Sequence, residues 1–222
     1  MSHSQPPKSP NLVLPEKEYL VPNEDQFRNQ LRLYFNLLDT AFQDLLSDNG
    51  GYHIDFPKIE ASYSANQTTT SNTPTKVLWD TAGVLSGFTL NADSTATALY
   101  NGVYKIDSGL QVVNNANVIH EINVWIQIDG VDVPISGTKF DVTARKSATV
   151  PSFLTAYTSF VFEIEAGQSV GLYWATDQAY IAGIQDGVFL QYSPAKTAPP
   201  DAFTAPSIPS AKGSIIYVGR GE

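Results

Sequence analysis

From Tyr52 onward, apolar side chains recur at every second position in run after run, and no stretch of helical period interrupts them. That two-residue period belongs to strands with one face in a core and one in solvent. The clearest run places Ile122, Val124, Ile126 and Ile128 on one face and Glu121, Asn123, Trp125 and Gln127 on the other. It ends at Asp129–Gly130, a pair suited to a two-residue hairpin turn. Tyr104, Ile106, Ser108, Leu110 and Val112 alternate with Lys105, Asp107 and Gln111 after an Asn101–Gly102 turn signal. Phe88 and Leu90, then Phe160, Phe162 and Ile164, then Val170, Leu172 and Trp174, and finally the segment around Phe189 complete the set, with Val77–Trp79 opening another strand. About eight strands at this spacing predict an antiparallel sandwich or jelly roll. A chain with 11 Tyr, 11 Phe, 3 Trp and 42% hydrophobic residues has the vocabulary and size for such a core.

The front of the chain is different. Pro6, Pro7, Pro10, Pro15 and Pro22 fix φ and remove amide donors, so residues 1–22 are expected as an extended arm with Leu12, Val13, Leu14, Tyr19 and Leu20 as apolar beads. Residues 23–48 read as one helix. Asn23 can cap it, Gln26 lies three residues on, and Glu24 and Asp25 suit the first turn. Phe27, Leu31, Tyr34, Leu38, Phe42 and Leu45 recur at helical steps, and Leu33, Phe35, Leu37 and Leu46 widen the stripe. Asp48, Asn49, Gly50 and Gly51 end it. Such a wide stripe either packs on its own domain or docks on copies and partners. Residues 49–195 then form the β head, and residues 196–222 a Pro- and Ala-rich linker with a short strand over Ser214–Val218.

Charge and motif content narrow the function. A formal net charge of −9, with 13 Lys+Arg and no basic run, disfavours nucleic acid as a partner. No stretch approaches the roughly 18 apolar residues that would span a bilayer, and Met1–Pro10 does not read as a secretory signal. Membrane insertion is not expected. Cysteine is absent, which removes disulfides and thiolate metal sites. His3, His53 and His120 lie far apart, so no helical zinc pair exists, and His120 reads as an ordinary strand histidine. There is no nucleophile elbow, P-loop or dinucleotide fingerprint. Asp177 and Asp186 are the carboxylates considered for glycoside hydrolysis. The expectation is a non-enzymatic protein without cofactor or metal. Trp79, Trp125 and Trp174 could stack on sugars. Trp125 lies on the polar face of its strand and needs cover, from a neighbouring loop or across a subunit seam.

Two resemblances sharpen this. Gly87–Phe88–Thr89–Leu90, then Asn101–Gly102–Val103–Tyr104–Lys105–Ile106, resemble the core of the complement-type globular head, a tumour-necrosis-factor-like jelly roll. Ile164–Glu165–Ala166–Gly167–Gln168–Ser169–Val170–Gly171–Leu172 is similar to a hairpin of that family, with Gln168 where the family usually has Asp. No calcium cluster of that family can be assigned here. The second resemblance is to virion proteins of marine and cyanobacterial phages. It is carried by Arg32–Leu33–Tyr34–Phe35–Asn36–Leu37–Leu38–Asp39, by Val124–Trp125–Ile126 with Gly130–Val131–Asp132–Val133–Pro134, and by Ile208–Pro209–Ser210–Ala211 with Gly213–Ser214–Ile215.

The resemblance implies a homotrimer located on the virion. The first functional expectation is a structural one: a capsid decoration, cement or knob-like protein, or a neck or tail fitting. Residues Leu12, Leu14, Tyr19, Phe27, Leu31, Tyr34, Leu38, Phe42 and Leu45 would grip other virion proteins, and Trp125 could line a trimer seam. The alternative is the receptor-binding tip of a tail or head fibre that recognises a host surface glycan or protein. A secreted complement-type head is a weaker third reading.

Overall fold

The computed structural model describes residues 21–46, 56–197 and 203–219. The chain divides into two units, Met1–Phe56 and Pro57–Glu222. The first contains helix α1 (Val21–Leu46). It starts two residues earlier than expected, so Pro22 is not part of an extended arm but sits in the first helical turn. The correction has a simple cause: first-turn amides have no acceptor within the helix, and the fixed φ of proline suits that position.

The second unit carries thirteen strands: β1 (Lys58–Tyr63), β2 (Thr75–Lys76), β3 (Thr81–Ser86), β4 (Phe88–Leu90), β5 (Ala96–Ala98), β6 (Gly102–Asn114), β7 (His120–Ile128), β8 (Val131–Asp132), β9 (Thr138–Val142), β10 (Ser152–Ile164), β11 (Ser169–Thr176), β12 (Val188–Leu190) and β13 (Ala211–Gly219). They form two sheets with antiparallel pairing throughout. Sheet I runs β10-β6-β13-β1-β3, with β12 also on β6. Sheet II runs β4-β5-β11-β7-β8, with β2 on β11 and β9 on β7. The fold is therefore the expected jelly-roll sandwich, mainly β with one long helix. Strands β1, β3 and β9 did not show in the alternation pattern; β3, for one, is exposed almost throughout. Val77–Trp79, expected to open a strand, instead follows the two-residue β2.

The inner faces of both sheets share one core. Tyr104, Ile106, Leu110 and Val112 of β6 meet Ile122, Val124 and Ile126 of β7 and Leu172 and Trp174 of β11 within it. Tyr104 is fully buried, makes edge contacts with Phe88 and Tyr217, and donates its hydroxyl to the Tyr100 carbonyl at 2.8 Å. Asp129 and Gly130 have φ of 51° and 78°, the doubly left-handed turn that their sequence announced. Gly102 is different. It is not a turn residue but the first residue of β6, and a Cβ there would overlap the Tyr217 ring. Close packing, not turn geometry, requires glycine at that position.

The C-terminal strand also needs correction. It was expected to be a short appendage after a linker, yet β13 is nine residues long and lies between β6 and β1 in the middle of sheet I. The head therefore extends to Gly219. The segment before it folds back on itself through bridges Ser193–Ile208 and Lys196–Ala205.

Candidate functional site

Helix α1 presents the partner-binding residues expected from sequence in two groups. Phe27, Leu31, Tyr34 and Leu38 are half-buried, whereas Phe42 is 57% exposed. Leu33, Phe35 and Leu37 are also exposed. Phe35 and Phe42, seven residues apart, flank the half-buried stripe on one side, and Leu33 and Leu37 flank it on the other. A helix apolar over so wide an arc is built to be covered. Leu12, Leu14 and Tyr19 lie outside the described residues, as does the side chain of Leu45.

Sheet I carries a second apolar surface that sequence reading missed. Strand β10 ends that sheet, and its outward residues include Phe153, Tyr157 and Val161, which are 64%, 58% and 56% exposed. The residues between them turn inward: Ser152, Ala156 and Thr158 are buried, and Ser108 Oγ and Thr158 Oγ1 share a hydrogen bond of 2.6 Å inside the head. Leu154 also turns inward against the core, and Thr155 and Ser159 lie between the three outward apolar residues, so this strand carries apolar side chains on both faces. Below the stripe, Tyr157 donates its hydroxyl to Asp107 at 2.8 Å, and Lys105 pairs with Asp107 at 2.9 Å. Burial opposes the Asp107 charge, but hydrogen bonds from Lys105, Ser159 and Tyr157 outweigh it and hold the carboxyl below its ordinary range. Asp107 in turn raises the Tyr157 hydroxyl through the bond it accepts.

The outer face of sheet II has another character. Across β2, β11 and β7, Lys76, Tyr173 and Trp125 form one cross-strand row. The Lys76 ammonium lies 5.8 Å from the Tyr173 ring centre, and the Tyr173 and Trp125 rings are 6.2 Å apart with planes inclined by 28°. Trp125, the expected seam residue, is half-buried in the single chain: Nε1 donates to Asp132 at 2.6 Å, and Gln127 donates to the same oxygen at 2.8 Å. One rung along, Gly171 faces Gln127 and leaves a gap in the row. The turn between β4 and β5 borders that gap with Asn91, Asp93 and Thr95.

Lys76 pairs with Asp93 at 2.8 Å, and Thr95 donates its hydroxyl to Asp93 at 2.6 Å. These bonds, that of Lys76 foremost, lower the Asp93 carboxyl from 3.8 to about 2. A depressed folded value means the contribution of Asp93 is complete above its ordinary pKa and is lost as pH falls toward 2. A carboxyl-carbon NMR titration of Asp93 is expected to show its midpoint near 2, and a midpoint near 3.8 would contradict the ion pair.

The remaining candidates for chemistry are engaged elsewhere or small. His120 Nδ1 lies 3.0 Å from Asp177 Oδ2, and the Glu121 amide donates to the other Asp177 oxygen at 3.1 Å. Burial works against the Asp177 charge, and the His120 hydrogen bond is the first of the contacts that lower its pKa in spite of it. Glu121 pairs with Lys139, which holds its carboxyl low. Trp174 is buried in the core, and Trp79 lies against Gly213, so neither offers a sugar platform. Between the sheets, Ile59, Trp79, Ile106, Leu172 and others enclose a cavity of about 40 Å³, room for a water-sized guest and not for a substrate. Among the described residues no group of three His, Asp or Glu side chains is placed to hold a metal ion. No helix among them is long and apolar enough to cross a membrane.

The class of the head is thus set by its own topology: an antiparallel two-sheet jelly roll with an apolar stripe on the end strand of one sheet and a polar, aromatic row on the outer face of the other. No family model matches the chain, and no curated protein matches it. Among solved structures it is similar to Eiger TNF from S. frugiperda, at 11% identity and a TM-score of 0.46, over 75% of this chain and 96% of that one.

Proposed function

We propose that this chain is a non-enzymatic structural subunit of a bacteriophage particle, a trimeric decoration, cement or knob-like protein or a neck or tail fitting. The outer face of sheet I is the trimer seam, and the N-terminal arm and helix hold the subunit to other virion proteins. The observation that carries the assembly is the exposed apolar stripe along β10. A long edge strand that shows Phe153, Tyr157 and Val161 to solvent is an association hazard unless a defined partner covers it. In a closed ring of three copies the stripe of one chain is covered by a neighbouring surface of the next copy, so no further chain is needed. The helix supports attachment because its exposed Leu33, Phe35, Leu37 and Phe42 require cover of their own. The virion assignment is supported by the sequence resemblance at Arg32–Asp39 and Val124–Pro134.

The purified protein is expected to scatter light with three times the 24.2 kDa mass of one chain. Removing residues 1–48 is expected to leave a folded trimeric head that no longer binds particles. A monomeric full-length protein, or particle binding that survives the deletion, overturns the proposal. The polar groove on sheet II favours a second reading, a fibre tip that recognises a host surface.

A further inference from the structure

We infer that the groove on the outer face of sheet II binds a neutral, hydroxyl-rich glycan. The site deepens the fibre-tip reading and depends on it only for where such a glycan would be met. Its floor is the backbone at Gly171, one wall is Tyr173 with Lys76, and the other is the Asn91–Thr95 turn, with Gln127 at one end. A Cβ at Gly171 would come within 3.0 Å of the Tyr173 ring and 3.5 Å of the Thr95 methyl, so this floor stays open only because residue 171 is glycine.

The lining is short, polar and already held in place. Asn91 donates to Thr95 Oγ1 at 2.9 Å and to Thr97 Oγ1 at 2.8 Å, and Thr97 shares a hydrogen bond of 2.9 Å with Ser169. Asp129 accepts from the Ser169 amide at 2.8 Å, and Asp132 fixes Gln127 and Trp125 together. Side chains ordered by one another lose little freedom when a ligand arrives. Amide, carboxylate and hydroxyl groups at this density match vicinal diols, which offer a donor and an acceptor on neighbouring carbons. Tyr173 adds an amphipathic wall for the C–H face of a sugar.

Charge selects among sugars. Asp93 and Asp129 line the groove with one ammonium, Lys76, which is already paired with Asp93, and Asp132 lies just beyond on Gln127. A phosphorylated or carboxylated sugar would meet net repulsion there, which argues against an anionic ligand. The same balance disfavours a second copy of this acidic chain on this face, in contrast to the aromatic stripe of sheet I.

The test titrates the full-length protein with mannan, dextran and galactan oligosaccharides, and with oligogalacturonate as the anionic comparison. Saturable binding is expected for at least one neutral probe and not for oligogalacturonate. Tyr173→Ala and Gln127→Ala are each expected to weaken it by about tenfold, the equivalent of about 1.4 kcal/mol. Gln127 lies at the surface, so its variant should keep its fold, which circular dichroism checks. No saturable neutral binding, a preference for oligogalacturonate, or binding unchanged in both variants overturns the inference. A fall in oligomeric mass in either variant also overturns it, because the face would then belong to an interface between copies. Neutral-glycan binding without adhesion to host cells upholds the site and sinks the fibre-tip reading.

Discussion

Two carboxylates placed on the outer face of sheet I are expected to dissociate the proposed assembly. The double variant Phe153→Asp/Val161→Asp is expected to scatter light as a single chain while its circular dichroism stays that of the parent. Both side chains are more than half exposed on β10, so neither substitution opens a core cavity. Tyr157 is left in place because its hydroxyl bond to Asp107 belongs to the fold of the single chain. Within a seam the new charges are buried unpaired, at a cost of about 3 kcal/mol each. Two such charges per chain weaken association by about ten-thousand-fold. Phe153→Leu keeps the apolar surface and is expected to keep the parent mass. An unchanged mass in the double variant would place the seam elsewhere and return Trp125 to consideration.

The second large effect is on stability. Asn114, at the end of β6, has no exposed surface. Its amide nitrogen lies 2.9, 3.1 and 3.0 Å from the carbonyl oxygens of Val118, Val142 and Thr143, and its amide oxygen accepts from the Ala116 amide at 2.8 Å. One side chain thus ties the 115–119 turn and the end of β9 to sheet I. Asn114→Asp keeps the shape but directs a carboxylate at three carbonyl oxygens. A loss of about 3–5 kcal/mol at neutral pH is expected. Burial raises the carboxyl of that variant above its unfolded value, so the variant is least stable when ionised and recovers part of the loss as pH falls. Urea unfolding at neutral and mildly acidic pH measures both effects. Equal stability of the variant and parent at neutral pH would show that the amide donor is dispensable.

Asn114 was not legible as a structural residue. It lies two residues past Val112, where the strand read from the sequence closed, and its partners at Val142 and Thr143 lie 28 and 29 residues away. Strand β10 shows the same limit from the other side. Its second half, Phe160–Ile164, alternates in the ordinary sense and was read correctly. Its first half did not register as a strand because apolar residues lie on both faces, Leu154 and Ala156 inward and Phe153 and Tyr157 outward. Alternation says that two faces differ, and only the packed sheet says which face is which.

The groove on sheet II was half visible. Trp125 stood out on the polar face of β7, and the need for intramolecular or intermolecular cover was stated. What the sequence could not supply was the row that joins it to Tyr173 and Lys76, or the gap at Gly171. Those residues come from β7, β11 and β2, and their register is set by pairing between strands distant in the chain.

By itself the sequence determined the class of fold, the long helix and the Asp129–Gly130 hairpin. Each of these depends on a local period or a local φ, which neighbouring residues specify. Only the tertiary structure decided that β13 lies in the centre of sheet I, that Gly102 makes room for Tyr217, and that one sheet shows aromatic side chains outward while the other shows a polar groove. These follow from long-range pairing and from contact between the two sheets. No window of neighbouring residues encodes such contacts, because burial is a property of what arrives from elsewhere in the chain.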